Sequence, residues 1–187
     1  MNKTHYPARL MKEGTAAIVI DVQERLYPLI YENEKISKNI ITLIKGLKIL
    51  EIPLIVTQQY TVGLGSTIAP IKDVLGDYSH IEKKAFSCCG DTAFMDALNK
   101  LSKKNVILMG IESHVCVLQT ALDLLDKGFV PVLIEDCVSS RKLNDKLVAV
   151  ERMRSEGAVI STYESVLFEL TMISGTEVFK GISRLVK

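Results

Sequence analysis

Apolar residues along this chain come in two alternating rhythms. Short continuous blocks, many of them β-branched, stand at residues 16–20 (Ala-Ala-Ile-Val-Ile), 53–57 (Pro-Leu-Ile-Val-Thr), 106–109 (Val-Ile-Leu-Met), 130–134 (Val-Pro-Val-Leu-Ile) and 158–161 (Ala-Val-Ile-Ser). Blocks this short, with no polar residue alternating through them, read as strands buried on both faces. A weaker sixth lies around residues 79–82. Between the blocks, apolar positions recur at helical spacing: Ile40, Ile41, Leu43, Ile44, Leu47 and Leu50 predict a helix over 37–50, and Phe94, Met95, Leu98 and Leu101 another, capped by Asp91 or Thr92. A short helix fits 68–75. Leu147, Val150 and Met153 line one that Gly157 closes, and Thr162 and Thr176 can cap two more, ending at Leu170 and Leu185. Pro131 inside the block at 130–134, the fifth strand in chain order, calls for an edge-tolerant position or a bulge.

Strands alternating with helices in this order argue for a parallel sheet covered on both faces, as one α/β domain over residues 1–187. Ligands of such sheets bind beyond the carboxyl ends of the strands, where strand order reverses. Asp21 ends the first block, Lys83 follows the third strand, and Cys116 follows the fourth, which Gly110 is expected to break. All three fall on one edge. A short polar turn should deliver Cys116 into the first turn of a helix reaching Lys127, where unpaired N–H groups favour a thiolate.

Composition narrows the partners. Lys plus Arg number 23 against 22 Asp plus Glu, with no long run of either sign, so nothing points to nucleic acid or an anionic membrane. A small molecule is the expected partner. No apolar stretch approaches the roughly 20 residues that span a bilayer, and residues 1–7 lack the apolar core of a leader, so a cytoplasmic location is expected. The cysteines, at 88, 89, 116 and 137, form neither a C-x-x-C pair nor a zinc pattern and read as reduced thiols. Gly63-Leu64-Gly65 lacks the third glycine of a dinucleotide fingerprint and reads as part of an active-site loop over 58–67. No cofactor and no metal are expected.

A thiol attacks a carbonyl carbon best as thiolate, so it needs a base and a neighbouring positive charge. Asp21 can supply the first and Lys83 the second, which makes a hydrolase site with no histidine in the proton path. The same three residues also fit a plain Asp21–Lys83 ion pair beside a packed thiol. Two further classes stay open: a ligand-binding or scaffold protein that makes no use of the thiol, and a redox sensor pairing Cys116 with Cys88 or Cys89.

The ordered set Ala17-Ile18-Val19-Ile20-Asp21-Val22-Gln23, Lys83-x-x-Phe86-Ser87, Gly110 to Ala121 and Asp136-Cys137-Val138-Ser139-Ser140-Arg141 resembles the isochorismatase-like cysteine hydrolase superfamily, over roughly residues 14–162. The Glu-Ser-His-Val-Cys wording, with Gln58-Gln59-Tyr60 and Gly63-Leu64-Gly65, is most similar to isochorismatase-domain-containing hydrolases of unassigned substrate. The resemblance implies a Rossmann-like three-layer α/β/α sandwich with a six-stranded parallel sheet. It also implies an Asp21, Lys83, Cys116 triad, with Lys83 chosen over Lys84 by the Lys-x-x-aromatic-Ser spacing. A cis peptide at Ile111-Glu112 would aim the N–H groups of Glu112 and Cys116 at one oxyanion, and the reaction implied is hydrolysis of a small amide. Two departures narrow the substrate. The metal-binding Asp-x-His of nicotinamidases has no counterpart in Thr57-Gln58-Gln59-Tyr60-Thr61, and isochorismatases proper need no cysteine nucleophile, whereas Cys116 is present.

Other polar residues carry smaller expectations. Gln23, Gln59, Tyr60 and Glu112 are candidates for the substrate pocket. His114, two residues from Cys116, should point elsewhere and sit on a helix face or an interface, with His80 on the third strand a poorer candidate base. Ser113 reads as a helix cap, since the second glycine of a nucleophile elbow is missing. Arg141 is expected to bind a substrate acid group or to pair with Asp136 or a neighbouring subunit. Val166, Leu167, Phe168, Leu170 and Met172 suit a core or a homo-oligomer contact.

Overall fold

The computed structural model describes residues 9–187, so residues 1–7, on which the reading of no leader rests, lie outside the described part. Strand β1 (Thr15–Ile20) is buried throughout: Ala17 and Val19 pack into one core and Ile18 and Ile20 into the other. Period-two alternation with apolar residues on both sides is what a continuous block becomes once helices cover both faces. Helix α1 (Asn33–Ile49) returns the chain to β2 (Leu54–Gln59), after which the short α2 (Thr61–Leu64) and α3 (Ala69–Leu75) lead to β3 (Ile81–Lys83). Asp91 accepts the Phe94 N–H to start α4 (Thr92–Leu101), and β4 (Asn105–Ile111) follows. A single π-helical turn over Ser113–Val117 runs into α5 (Leu118–Asp126). The chain closes with β5 (Val130–Ser139), α6 (Leu143–Glu156), β6 (Val159–Ser161), α7 (Tyr163–Thr171) and α8 (Glu177–Leu185), the last two helices capped by Thr162 and Thr176.

The sheet is six-stranded and parallel, in the order β3-β2-β1-β4-β5-β6. Helices α1, α3, α7 and α8 share one core and α4, α5 and α6 the other, giving three layers. The β1 to β2 connection therefore leaves on one face and the β4 to β5 connection on the other. Between the carboxyl ends of β1 and β4 the two connections part, and this is where strand order reverses. Asp21 and the π-helical turn flank that point.

Several expectations change. Strand β4 does not break at Gly110 but runs on to Ile111. At φ 131° Gly110 lies against β1, where an added Cβ would strike the Ile20 carbonyl, so the missing side chain lets the two strands close. The β4–β5 register shifts between Leu108 and Gly110, and β5 continues to Ser139 rather than stopping at Glu135. Pro131 sits in an interior strand, yet β6 pairs only from Val132 onward and Val130 directs its N–H to Lys104 on the other side, so no ladder bond needs the missing donor. Gln58 and Gln59 belong to β2, not to a loop. The third strand is Ile81–Lys83, so His80 precedes it and Lys83 ends it. Leu147 is exposed; Ala149 joins Val150 and Met153 as the buried side of α6.

Candidate active site

The site begins with a residue that must turn immediately after a buried strand. Asp21 follows Ile20 with φ 50°, the left-handed region that Asp tolerates better than most residues, and its side chain is fully buried. Its Oδ1 accepts a hydrogen bond from Thr57 Oγ1 on β2 at 2.8 Å. Its Oδ2 lies 2.6 Å from Lys83 Nζ, also fully buried.

Lys83 reaches Asp21 across β2, the strand between β1 and β3. Its ammonium donates to Gln59 Oε1 at 2.8 Å, to the Phe86 carbonyl at 2.9 Å and to the Ala85 carbonyl at 3.2 Å. These three neutral acceptors surround the ammonium and help to hold it beside Asp21 Oδ2. Burial works against the Lys83 charge, but the Asp21 carboxylate more than offsets it and holds the amine above its ordinary value, as an ammonium. Strand alternation leaves Lys84 exposed on the opposite side.

Cys116 occupies the π-helical turn and is 6% exposed. Burial pushes its thiol far above the ordinary value, and Asp21 adds to the push as a charge and as acceptor of the thiol proton, with Lys83 opposing. Burying a sulfur anion beside a carboxylate thus opposes the thiolate that the helix start was expected to favour. The peptide between Ile111 and Glu112 is cis. Val115 and Val117 direct their N–H groups back to the Glu112 carbonyl at 3.1 and 3.2 Å, a pattern that takes neither the Glu112 nor the Cys116 N–H.

The structure brings Asp21, Lys83 and Cys116 together and distributes the other candidates differently. Gln23 is buried and fully spent: Nε2 donates to the Gln59 and Gly65 carbonyls, at 3.0 and 2.7 Å, and Oε1 accepts the Gln59 N–H at 2.7 Å. Gln59 is equally committed, to Lys83 and, through Nε2, to the Lys84 carbonyl at 2.8 Å. Both hold the site's frame. Tyr60 is 51% exposed, its ring lying over Gly63. Glu112 is buried and accepts from Arg141 Nε at 2.8 Å, so Arg141 pairs with Glu112 and not with Asp136, whose Oδ1 takes the Tyr163 N–H instead. Ser113 is no cap; its Oγ is buried without a partner. His114 Nδ1 meets Ser140 Oγ at 2.9 Å, which turns the ring toward the end of β5. Sequence reading missed Thr57, for which the available signal was register: it pairs with Ile20, the residue before Asp21. Among the described residues no group of three or more His, Cys, Asp or Glu side chains is placed to hold a metal.

The isochorismatase domain family matches residues 15–165. A Phytophthora sojae protein named secreted isochorismatase effector Isc1 is 38% identical over 183 residues, covering 96% of this chain and 87% of its own length. The solved structure of MAR1 ribonuclease from Caenorhabditis elegans superposes with a TM-score of 0.89 at 38% identity, covering 96% of this chain and 92% of that one. That of Escherichia coli YcaC, described as an octameric hydrolase of unknown specificity, gives a TM-score of 0.90 at 25% identity over 97% of this chain and 91% of its own. With a family match spanning the sheet from β1 to the start of α7, and relatives aligned along nearly their whole lengths, the chain belongs to the isochorismatase family.

Proposed function

We propose that the protein is a cysteine hydrolase that cleaves the C–N bond of a small amide through an acyl-thioenzyme. The observation that carries this reading is a fully buried carboxylate and ammonium, 2.6 Å apart, facing a nearly buried thiol. A thiol held neutral by burial attacks only as its proton leaves, and Asp21 is the adjacent acceptor. As the Sγ–C bond forms, the proton passes to Asp21 and the carbonyl oxygen becomes an oxyanion, held by the Glu112 and Cys116 N–H groups. Collapse expels the nitrogen, which takes the proton from Asp21. Asp21 then removes a proton from water, the hydroxide attacks the thioester, and the acid leaves as the sulfur recovers the proton. Lys83 keeps its charge throughout and stabilises each anion in turn.

The near-balance of charge favours a small substrate over the RNA that the nematode relative's name suggests. The exposed Met172 and Ile173 after α7 and the octameric description of the E. coli relative support a homo-oligomer. Four unpaired thiols fit a reducing compartment such as the cytoplasm.

A panel of small amides and esters, with an RNA oligonucleotide as control, tests the reading. Hydrolysis is expected for at least one amide and should vanish in Cys116→Ala, and intact-protein mass spectrometry should record an acyl adduct on Cys116. Turnover unchanged by Cys116→Ala, or no turnover together with failure of an electrophilic amide to label Cys116, overturns it.

A further inference from the structure

We propose that Thr57 is a positioning residue that fixes the orientation of the Asp21 carboxylate for proton exchange with Cys116. The proposal rests on the hydrolase reading for its purpose but not for its geometry. The two oxygens of Asp21 are treated differently. Oδ1 takes a 2.8 Å hydrogen bond from Thr57 Oγ1 in a fully buried setting, whereas Oδ2 sits 2.6 Å from the Lys83 ammonium.

The direction of the Thr57 hydroxyl is itself fixed. Cys88 Sγ lies 3.9 Å from Thr57 Oγ1 as a weak donor, so the hydroxyl accepts on that side and its own hydrogen goes to Asp21. Cys88 is anchored in turn, its N–H donating to Thr120 Oγ1 of α5 at 2.9 Å. A short buried chain thus runs from the start of the helix behind Cys116, through Cys88 and Thr57, to the carboxylate. Thr57 also grips the backbone, its carbonyl accepting the Asp21 N–H at 3.3 Å. With Oδ1 bonded to Thr57, Oδ2 beside Lys83 and the backbone N–H held by the Thr57 carbonyl, the carboxylate cannot swing away from the thiol. In alkylation by iodoacetamide the same step occurs without a substrate: the Sγ–C bond forms, iodide leaves, and the thiol proton goes to Asp21 and on to solvent.

The test measures the rate at which iodoacetamide labels Cys116, read by peptide mapping, in full-length protein. Removing one hydrogen bond to a carboxylate is worth roughly a factor of ten, so Thr57→Val should slow labelling about tenfold. Thr57→Ser, which restores the hydroxyl, should label within about twofold of wild type, and Thr57→Ala carries the expectation of Thr57→Val should the valine disturb packing. In an Asp21→Asn background, checked for folding by circular dichroism, Thr57→Val should have no further effect, because the group it positions is gone. On any amide turned over, kcat should fall and KM stay constant. Wild-type labelling by Thr57→Val, or an effect of undiminished size in the Asp21→Asn background, overturns the proposal. If labelling depends on Asp21 and Thr57 but no amide or ester is hydrolysed, the hydrolase reading falls and the positioning role stands.

Discussion

Two carboxylate–cation pairs stand at the carboxyl edge of this sheet, and they differ chiefly in burial. Asp21 and Lys83 meet at 2.6 Å with both side chains wholly excluded from solvent. Glu112 and Arg141 meet at 2.8 Å with the arginine 55% exposed. The first pair sits where water cannot substitute for a lost partner, so each member depends on the other. The second keeps its arginine in solvent, which screens the attraction and hydrates the guanidinium should the pair open. One pair fixes charge inside the fold; the other ties the turn after β4 to the end of β5. The contrast teaches that burial decides what an ion pair does here, since distance and residue chemistry are nearly matched.

Breaking the buried pair should have the largest effect. Lys83→Met leaves the Asp21 carboxylate without compensation and is expected to cost about 3–5 kcal/mol of stability, with the loss partly recovered in the Asp21→Asn, Lys83→Met double variant. Urea unfolding measures both; a cost below about 1 kcal/mol for the single variant would place the two pairs in the same class. Breaking the rim pair should do far less. Arg141→Gln is expected to cost about 1 kcal/mol or less, and salt should weaken the wild-type contact. A loss as large as that of Lys83→Met would mean that Glu112 depends on Arg141 as Asp21 does on Lys83.

A third effect, read through pH, sharpens how far the buried pair's field reaches. Burial, with the Asp21 charge adding and Lys83 opposing, pushes the Cys88 thiol up from 9.0 to about 12. The folded protein therefore holds this proton more tightly than the unfolded chain does. That contribution to stability is complete below pH 9.0 and is lost as pH rises towards about 12. Urea midpoints at about pH 8 and about pH 11 should fall in wild type more steeply than in Cys88→Ala. Parallel declines in the two proteins would remove Cys88 from the account.

Much of the fold was legible because continuous β-branched blocks and helical periodicity are local signals. The six strands, the capping roles of Thr162 and Thr176, and the common edge of Asp21, Lys83 and Cys116 all followed from residue order. Gly110 misled, because a glycine that ends one strand and a glycine that lets two strands touch look the same until a neighbour is placed beside it. The surroundings of Cys116 were only half legible for a related reason: the helix start is visible in the sequence, while the burial that opposes a thiolate comes from distant segments. The partners of Arg141, Gln23 and Gln59 were hidden too. Arg141 is 29 residues from Glu112, and Gln23 is 36 from Gln59. Pairings at that range are set by packing, which no short motif records.

The π-helical turn carries a consequence for how this chain tolerates changes in length. Its Val117 N–H returns to Glu112, five residues back, where an α-helix would reach back four. Deleting Val115 would remove the residue that widens the turn and shift the helix from Cys116 onward by about 100° relative to β4. Substitution here changes the chemistry of one side chain, whereas a one-codon deletion changes the phase of the helix and aims an intact thiol away from Asp21.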